Sequence, residues 1–308
     1  MLKIICRSLL ILFVIQCGIG VLYAQNEQII NFGETKIHYQ TFGEGIPILI
    51  LNGGPRMSSE GFIPLAKKLA KNYQTIIFDQ RGTGLSTVNT IDRRTITMDL
   101  MVEDIEALRK HLGYDEWIVM GHSFEGMLAY YYASRYPESI SSMIQSSSGG
   151  MDLALLLSLN ITDGLTEIQR YSLAYYTAKI RNGDNSYETL LKRGEFLAPA
   201  YLYNQKYVPV VAKRLTQGTS LINSLVWLNL RKIEYDTKND LKSFNKPVLI
   251  LHGAQDVAGT DIAETAHRVL PNSRLVILQR CRHYGWLDRP EKFFRAIEEF
   301  LLAHNKIN

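Results

Sequence analysis

The sequence predicts an α/β fold in which a mostly parallel β-sheet carries helices on both faces and a helical insertion. Short, continuous apolar runs recur along the chain, as strands buried on both faces require. Amphipathic helical patterns separate these runs, and this alternation is typical of a doubly wound sheet. The stretch 151–240 breaks the rhythm, because it has helical patterns and no strand-like run. We therefore expect it to form an α-helical cap.

The elements follow in chain order. Residues 28–31 and 36–40 predict an opening hairpin around Gly33. Six later runs predict strands of the parallel sheet: 46–51, 74–78, 117–120, 141–145, 247–251 and 275–278. Five helical patterns accompany them: 63–71, 97–111, 124–135, 262–270 and 290–304. The predicted core thus comprises 25–150 and 241–308, with the cap at 151–240 between its two halves.

The first 24 residues resemble a secretory signal peptide. Lys3 and Arg7 precede an apolar segment at 9–14, and Ala24 ends a plausible cleavage site. This predicts a secreted or periplasmic protein with no stable membrane insertion after cleavage. The alternative is an uncleaved segment that anchors the chain to the membrane by its N-terminus.

Composition limits the class of protein and its partners. The chain has 308 residues, 46% hydrophobic and 21% charged, which is typical of a soluble globular protein. Cleavage would remove Lys3 and Arg7 and no acidic residue, so the formal net charge falls from +4 to +2. Such a balance gives no reason to expect nucleic acid as a partner.

Cysteine and histidine usage gives no sign of disulfides or metal. Cys281 is the only cysteine after the predicted signal peptide, which excludes an intrachain disulfide in the mature chain. A packing role for Cys281 is favoured over a reactive thiol. The histidines other than His283 show no metal-ligand spacing, and we expect no metal and no organic cofactor.

Ser123 is the most informative residue for function. It lies in GHSFEG at 121–126, between the apolar run 117–120 and the helical pattern that follows. A serine on such a strand-turn-helix corner is the nucleophile elbow of α/β-hydrolases. The N-terminus of the following helix favours negative charge that develops nearby. The usual pattern is G-x-S-x-G, and Glu125 stands where its second glycine is expected.

Two further residues complete a predicted catalytic triad. In α/β-hydrolases the acid and then the histidine follow the serine along the chain. Asp256 follows the run 247–251 and His283 follows the run 275–278, and the carboxyl ends of parallel strands meet at one edge of a sheet. We expect Ser123 to be the nucleophile, His283 its general base and then a general acid, and Asp256 the group that orients the imidazole.

Each of these residues also has an ordinary structural interpretation. Ser123 could lie in a surface turn, Asp256 could cap a helix, and His283 could be a loop histidine. Their chain order and their matching positions after strands favour the triad over three separate roles.

An active serine also needs an oxyanion hole. The backbone N–H of Phe124, next to the serine, is one predicted donor. The other is the N–H of Gly54, in the loop 52–55 after the strand 46–51. The adjacent glycines of this loop allow the backbone to approach a ligand closely. Without Ser123, a simple Gly-Pro turn would be the default interpretation.

These motifs resemble those of the prolyl iminopeptidase branch of the α/β-hydrolases, which are serine aminopeptidases. The loop NGGP at 52–55 is similar to the family's His-Gly-Gly-Pro-Gly loop, and DQRGTGLS at 79–86 matches its Asp-Gln-Arg-Gly-x-Gly-x-Ser motif. The resemblance implies the α/β-hydrolase fold and release of an N-terminal residue, often proline, through an acyl-enzyme. It implies no metal or organic cofactor.

The resemblance also implies that carboxylates of the cap bind the free amine of the substrate. Glu188, Glu195 and Glu234 are candidates for this role. If the substrate is instead a small acyl ester, a carboxylesterase with the same triad is the alternative, and an apolar cap pocket would favour it. A degenerate hydrolase of low activity is the third interpretation.

Four residues depart from the family pattern. Asn52 replaces a histidine, and charged residues replace three glycines: Arg56, Glu125 and Arg282. Because a buried, unpaired carboxylate is costly, we expect Glu125 to pair with Arg56 or Arg282. These changes predict a site that is narrowed or weakened rather than erased.

Overall fold

The structure is a computed structural model, and it describes residues 26–156, 159–218 and 220–304. The predicted signal peptide at 1–24 lies outside the described residues. The strands of the described part form one sheet: β1 (Asn26–Phe32), β2 (Thr35–Phe42), β3 (Pro47–Leu51), β4 (Gln74–Phe78), β5 (Thr87–Val88), β6 (Trp117–His122), β7 (Ile140–Ser146), β8 (Val248–Gly253) and β9 (Ser273–Leu278).

The strand order is β1-β2-β4-β3-β6-β7-β8-β9, with β5 paired to β2. The strands from β4 to β9 in this order run parallel. Strands β1 and β2 form the predicted hairpin, and β2 is antiparallel to β4 and β5. The fold is therefore the predicted α/β fold with a mostly parallel sheet.

Helices cover both faces of the sheet. The α-helices of the described residues are α1 (Ile63–Leu69), α2 (Met98–His111), α3 (Phe124–Arg135), α4 (Glu167–Arg181), α5 (Tyr187–Leu197), α6 (Val208–Leu215), α7 (Ser220–Lys232), α8 (Lys238–Leu241), α9 (Thr260–Val269), α10 (Gly285–Asp288) and α11 (Pro290–His304). The sequence pattern did not predict β5 or α10, which have two and four residues and are too short to show a period.

The core explains why the strand sequences are continuous apolar runs. Strands β3 and β6 lie inside the sheet, and Leu49, Ile50 and Val119 are fully buried. One apolar layer includes residues of α2 and α3, and the layer on the other face includes residues of α1 and α11. Successive side chains point to opposite faces of a strand, so both sets must be apolar here.

Residues 151–240 carry helices α4 to α8 and lie between β7 and β8 in the chain. The two ends of this segment meet, because the N–H of Thr237 donates to the carbonyl of Met151 at 2.8 Å. The hydroxyl of Tyr235 donates to the carbonyls of Gly150 at 3.1 Å and Met127 at 3.0 Å. The base of the insertion is thereby tied to α3, the helix that follows Ser123.

Across the described ranges, we find no helix with both the length and the apolar character that a membrane crossing requires.

Candidate active site

Ser123 occupies a strained position between β6 and α3. Its φ is 60° and its ψ is −124°, a conformation that residues other than glycine rarely adopt. Three backbone hydrogen bonds hold it. The N–H of Ser123 donates to the carbonyl of Ser146 at 3.1 Å, and its carbonyl accepts from Gly126 at 3.0 Å and from Gly149 at 2.9 Å. Neighbouring segments therefore support the turn that presents the hydroxyl.

The three predicted triad residues lie within hydrogen-bonding distance of one another. The His283 Nε2 atom is 2.9 Å from the Ser123 Oγ atom. The His283 Nδ1 atom lies 2.9 Å from Oδ1 and 3.1 Å from Oδ2 of Asp256. With the proton on Nδ1 directed at the carboxylate, the lone pair of Nε2 faces the serine hydroxyl. This is the geometry that a general base needs.

Asp256 lies after β8, and its side chain is fully buried. Burial acts to raise the pKa of this carboxyl. The charge that His283 carries when protonated, its hydrogen bond and His252 together outweigh burial and hold the pKa of Asp256 well below its ordinary value. The N–H of Ala258 also donates to Oδ1 at 3.2 Å. Asp256 is thus an ionised group that can orient the imidazole and stabilise the imidazolium.

His122 packs against the triad without taking part in it. Its ring centroid is 4.7 Å from that of His283 and 4.8 Å from that of Trp286. Burial lowers the pKa of His122 well below its ordinary value, and the charges of His283, when protonated, and of Arg214 lower it further. The ring is therefore neutral, and its Nδ1–H donates to the carbonyl of Ser146 at 3.0 Å.

The loop after β3 has the conformation that its glycines allow. Gly54 has a φ of 95°, in the left-handed region that favours glycine. Gly54 and Phe124 both line the cavity that contains Ser123, and their role as oxyanion donors stays a prediction. Asn52, which replaces the family's histidine, donates to the carbonyls of Met57 at 3.1 Å and Ser58 at 3.3 Å. Asn52 thus closes this loop.

Glu125 is fully buried, but the expected pairing with Arg56 or Arg282 is wrong. The Arg282 guanidinium donates instead to the carbonyls of Pro199 at 3.0 Å and Ala200 at 3.1 Å. The positive charge that acts on Glu125 belongs to Arg214. Sequence reasoning missed this residue because α6 lies far along the chain from the elbow.

The Glu125 carboxyl is poorly compensated. Burial raises its pKa well above the ordinary value, and the charge of Arg214 opposes this only in part. Within the described chain, neither carboxyl oxygen has a partner at hydrogen-bonding geometry. A buried carboxyl with so little support favours its protonated form.

The close approach of α3 to the sheet depends on other glycines. A Cβ atom on Gly126 would lie 2.4 Å from the Ser148 Oγ atom, and one on Gly121 would lie 2.6 Å from the carbonyl oxygen of Glu125. Both distances are shorter than real contacts of this kind. The elbow therefore needs glycine at 121 and 126.

Arg214 connects the cap to the predicted oxyanion loop. Its side chain is buried, and its guanidinium donates to the carbonyl of Gly53 and, at 3.4 Å, to that of Ser58. The guanidinium carbon lies 4.6 Å from the ring centroid of Phe62. The sequence carried no clear signal for this role, because α6 ends with two adjacent basic residues, Lys213 and Arg214.

The motif DQRGTGLS at 79–86 has a structural role here. The Asp79 carboxylate accepts from the N–H groups of Ser59 at 2.7 Å and Leu85 at 2.9 Å. Arg81 forms a bidentate pair with Asp104, with distances of 2.8 and 2.7 Å. These bonds organise the loops behind the site, and these side chains do not line the cavity.

The cavity at Ser123 has a volume of about 820 Å³. Gly54, Phe124 and His283 line it near the serine, and the side chains of the cap that line it are largely apolar. Its charged lining side chains are arginines: Arg56, Arg181, Arg193 and Arg231. No Asp or Glu occurs among the described residues that line it.

The proposed amine-binding carboxylates of the cap lie elsewhere. Glu188 and Glu234 are exposed, and Glu195 pairs with Lys192 at 2.8 Å. None of the three lines the cavity. The structure therefore gives them no contact with a substrate at Ser123.

No set of three His, Cys, Asp or Glu side chains in the described ranges is arranged to hold a metal ion. Cys281 is buried, and burial raises the pKa of its thiol. Its Sγ atom lies 3.3 Å from the carbonyl oxygen of Arg282. These features agree with a packing role for Cys281.

Comparison with known proteins places the chain among hydrolases. The family model described as alpha/beta hydrolase fold matches residues 46–290. A protein named proline iminopeptidase from Saccharolobus solfataricus is 27% identical, with 85% of this chain and 87% of the relative covered. A protein of the same name from Clostridioides difficile is 28% identical, with 88% and 96% covered.

Solved structures show the same fold at lower identity. A meta-cleavage product hydrolase from Pseudomonas fluorescens superposes with a TM-score of 0.70 at 19% identity, covering 90% of this chain and 98% of that one. An esterase from Exiguobacterium antarcticum gives a TM-score of 0.67 at 20% identity, covering 87% and 96%. The chain belongs to the α/β-hydrolase fold family and is an enzyme similar to the prolyl iminopeptidases.

Proposed function

We propose that this protein is a serine hydrolase that cleaves an ester or amide through an acyl-enzyme on Ser123. The observation that carries the proposal is the position of His283, which lies 2.9 Å from both the Ser123 Oγ atom and Asp256 Oδ1. A neutral imidazole held by an ionised carboxylate is the base that a serine nucleophile requires.

The reaction then follows in two balanced steps. The Ser123 oxygen attacks the acyl carbon, and its proton moves to the His283 Nε2 atom. The tetrahedral oxyanion faces the backbone N–H groups of Gly54 and Phe124. As the bond to the leaving group breaks, His283 gives that group its proton. Water then attacks the acyl-enzyme by the same route, which releases the acid and restores the serine.

The cavity favours an acyl ester over a peptide with a free N-terminal amine. An ammonium group needs an anionic partner, and arginines are the charged side chains that the described lining provides. The largely apolar wall of the cap suits an acyl chain. Carboxylesterase activity is therefore our first candidate for the substrate class.

Release of an N-terminal proline is the second candidate. Its support is the name that the curated relatives share, proline iminopeptidase, at 27 and 28% identity. Either activity would take place outside the cytoplasm if the segment 1–24 is a signal peptide, as we propose from the sequence.

The test compares p-nitrophenyl butyrate with proline p-nitroanilide, using the chain from Gln25 onward. We expect ester hydrolysis, labelling of Ser123 by a fluorophosphonate probe, and loss of both in Ser123→Ala. Losing such a nucleophile costs roughly 10⁶ in kcat. The exposed Ser243→Ala is the matched control and should behave like the wild type.

Turnover that survives in Ser123→Ala would refute the proposal. Faster hydrolysis of the proline anilide than of the ester would select the aminopeptidase. Labelling without turnover of either compound would indicate the degenerate hydrolase.

A further inference from the structure

The cavity collects positive charge from four separate segments. Arg56 comes from the loop after β3, Arg181 from α4, Arg193 from α5 and Arg231 from α7. The cavity-lining residues in the described ranges include no carboxylate that would balance them. Only the folded chain brings these guanidinium groups to one cavity.

Arg56 and Arg193 differ from other arginines that the fold encloses. Arg81 pairs with Asp104, and Arg109 pairs with Glu106. Arg56 and Arg193 are half-buried, and within the described ranges neither guanidinium has an ion pair or hydrogen-bond partner. Burial lowers the pKa of both, and the charge of Arg193 lowers that of Arg56 further. Both effects would be relieved by a bound anion.

This pair of arginines adjoins the reacting groups. Arg56 lies two residues beyond Gly54. Burial raises the pKa of Tyr201, and the charges of Arg193 and Arg56 oppose that rise, so the tyrosine lies within the field of both. The ring centroid of Tyr201 is 5.3 Å from that of His283. Tyr201 thus contacts His283 and lines the same cavity as the two arginines whose charges act on it.

We propose that the substrate carries a carboxylate, which Arg56 and Arg193 bind while Ser123 attacks its ester or amide bond. This inference rests on the proposed function and names its substrate class. Guanidinium groups match carboxylate oxygens in geometry as well as in charge. The exposed Arg181 and Arg231 also line the cavity, and their charges would draw an anion toward it.

The experiment pairs acids with their neutral methyl esters. Mono-p-nitrophenyl glutarate and its methyl ester place the charge on the acyl side. For the leaving-group side, 4-acetoxybenzoate is compared with methyl 4-acetoxybenzoate. In the wild type we expect kcat/KM for the acid of at least one pair to exceed that of its methyl ester by about tenfold or more, since a hydrogen bond between two charged groups is stronger than one to a neutral ester.

Two variants test whether Arg193 and Arg56 cause the preference for the acid. In Arg193→Gln and Arg56→Gln, kcat/KM for the preferred acid should fall at least tenfold more than kcat/KM for its methyl ester. Arg295→Gln removes the same charge from an exposed position on α11 and should keep the wild-type preference. Circular dichroism and thermal unfolding check that each variant folds.

Inhibition of the wild type by a small dicarboxylate tests the carboxylate site even if a variant does not fold. Glutarate should inhibit hydrolysis of the neutral ester competitively, and the uncharged glutaramide should not. If neither ester is turned over, glutarate should still slow fluorophosphonate labelling of Ser123.

The outcomes separate this inference from the proposed function. If neutral esters are cleaved through Ser123 as fast as the acids, and glutarate has no effect, the carboxylate site is overturned. The proposal of a serine hydrolase then still stands. Hydrolysis that persists in Ser123→Ala would overturn the serine hydrolase itself.

Discussion

Replacing Glu125 by glutamine tests the energetics of the buried carboxyl directly. The variant Glu125→Gln keeps the size of the side chain and removes its titration. In the native protein, burial raises the pKa of Glu125 well above its ordinary value despite the charge of Arg214. The unfolded chain has no such burial, and there the carboxyl ionises at about pH 4.3, as in an unstructured peptide.

Proton binding by Glu125 determines whether the free energy of unfolding rises or falls with pH. Between the unfolded pKa and the raised folded pKa, the native state holds the Glu125 proton and the unfolded state has lost it. The free energy of unfolding of the wild type therefore falls as pH rises through this window, by up to about 1.4 kcal/mol per pH unit. Glutamine has no proton to lose. The free energy of unfolding of Glu125→Gln, minus that of the wild type, should therefore rise with pH by up to the same amount per pH unit.

Urea unfolding of both proteins at pH 5, 6, 7 and 8 measures this difference. Subtracting the wild-type free energy at each pH cancels the titration of all other groups. The exposed Glu264→Gln on α9 is the matched control and should show a flat difference. A flat difference for Glu125→Gln as well would refute the burial argument. Such a flat difference would mean that Arg214 dominates and that the native carboxylate is ionised across this pH range.

Further predictions concern the groups around the triad. Arg214→Met should lower the free energy of unfolding by about 1.5–3 kcal/mol, because the carbonyl of Gly53 loses a charged donor. It should also lower kcat by loosening the oxyanion loop. Urea unfolding and steady-state kinetics check both effects, and an unchanged kcat would separate this arginine from the site. His122 has a lowered pKa, so its native state binds fewer protons than the unfolded state below about pH 6.5. The free energy of unfolding of the wild type should therefore fall as pH falls below that value. In His122→Gln this fall should be shallower, by up to about 1.4 kcal/mol per pH unit in urea unfolding. Equal slopes of unfolding free energy against pH in the two proteins would contradict the neutral ring. Asp256→Asn should lower kcat by roughly 10⁴, because the imidazole of His283 loses its orienting carboxylate, and a fall of less than tenfold would argue against this role.

Much of the fold was predictable because its elements are strongly patterned. The helical pattern 124–135 predicts α3 with its observed ends, and the run 74–78 predicts β4. Strands buried on both faces show an uninterrupted apolar run, and such a run needs no knowledge of distant residues. The two-residue β5 has no pattern of its own and forms because it pairs with β2.

For the candidate site, too, the sequence predicted some features and missed others. Ser123, Asp256 and His283 could be named because each follows a recognisable strand, and the order of strand ends in a parallel sheet is encoded along the chain. The charge that acts on Glu125 could not be named from the sequence. Of the basic residues in the recognised motifs, Arg282 donates to backbone carbonyls of the cap and Arg56 lines the cavity.

The sequence by itself determined the strands, the core helices, the serine corner and the identity of the three residues that the fold brings into hydrogen-bonding distance. These depend on local periodicity and on chain order, which a linear sequence carries in full. Only the tertiary structure decided which charge acts on Glu125 and that arginines from four segments meet in the cavity. Those outcomes depend on contacts between residues far apart in the chain, such as Ser58 and Arg214 at 3.4 Å, and packing alone selects such contacts.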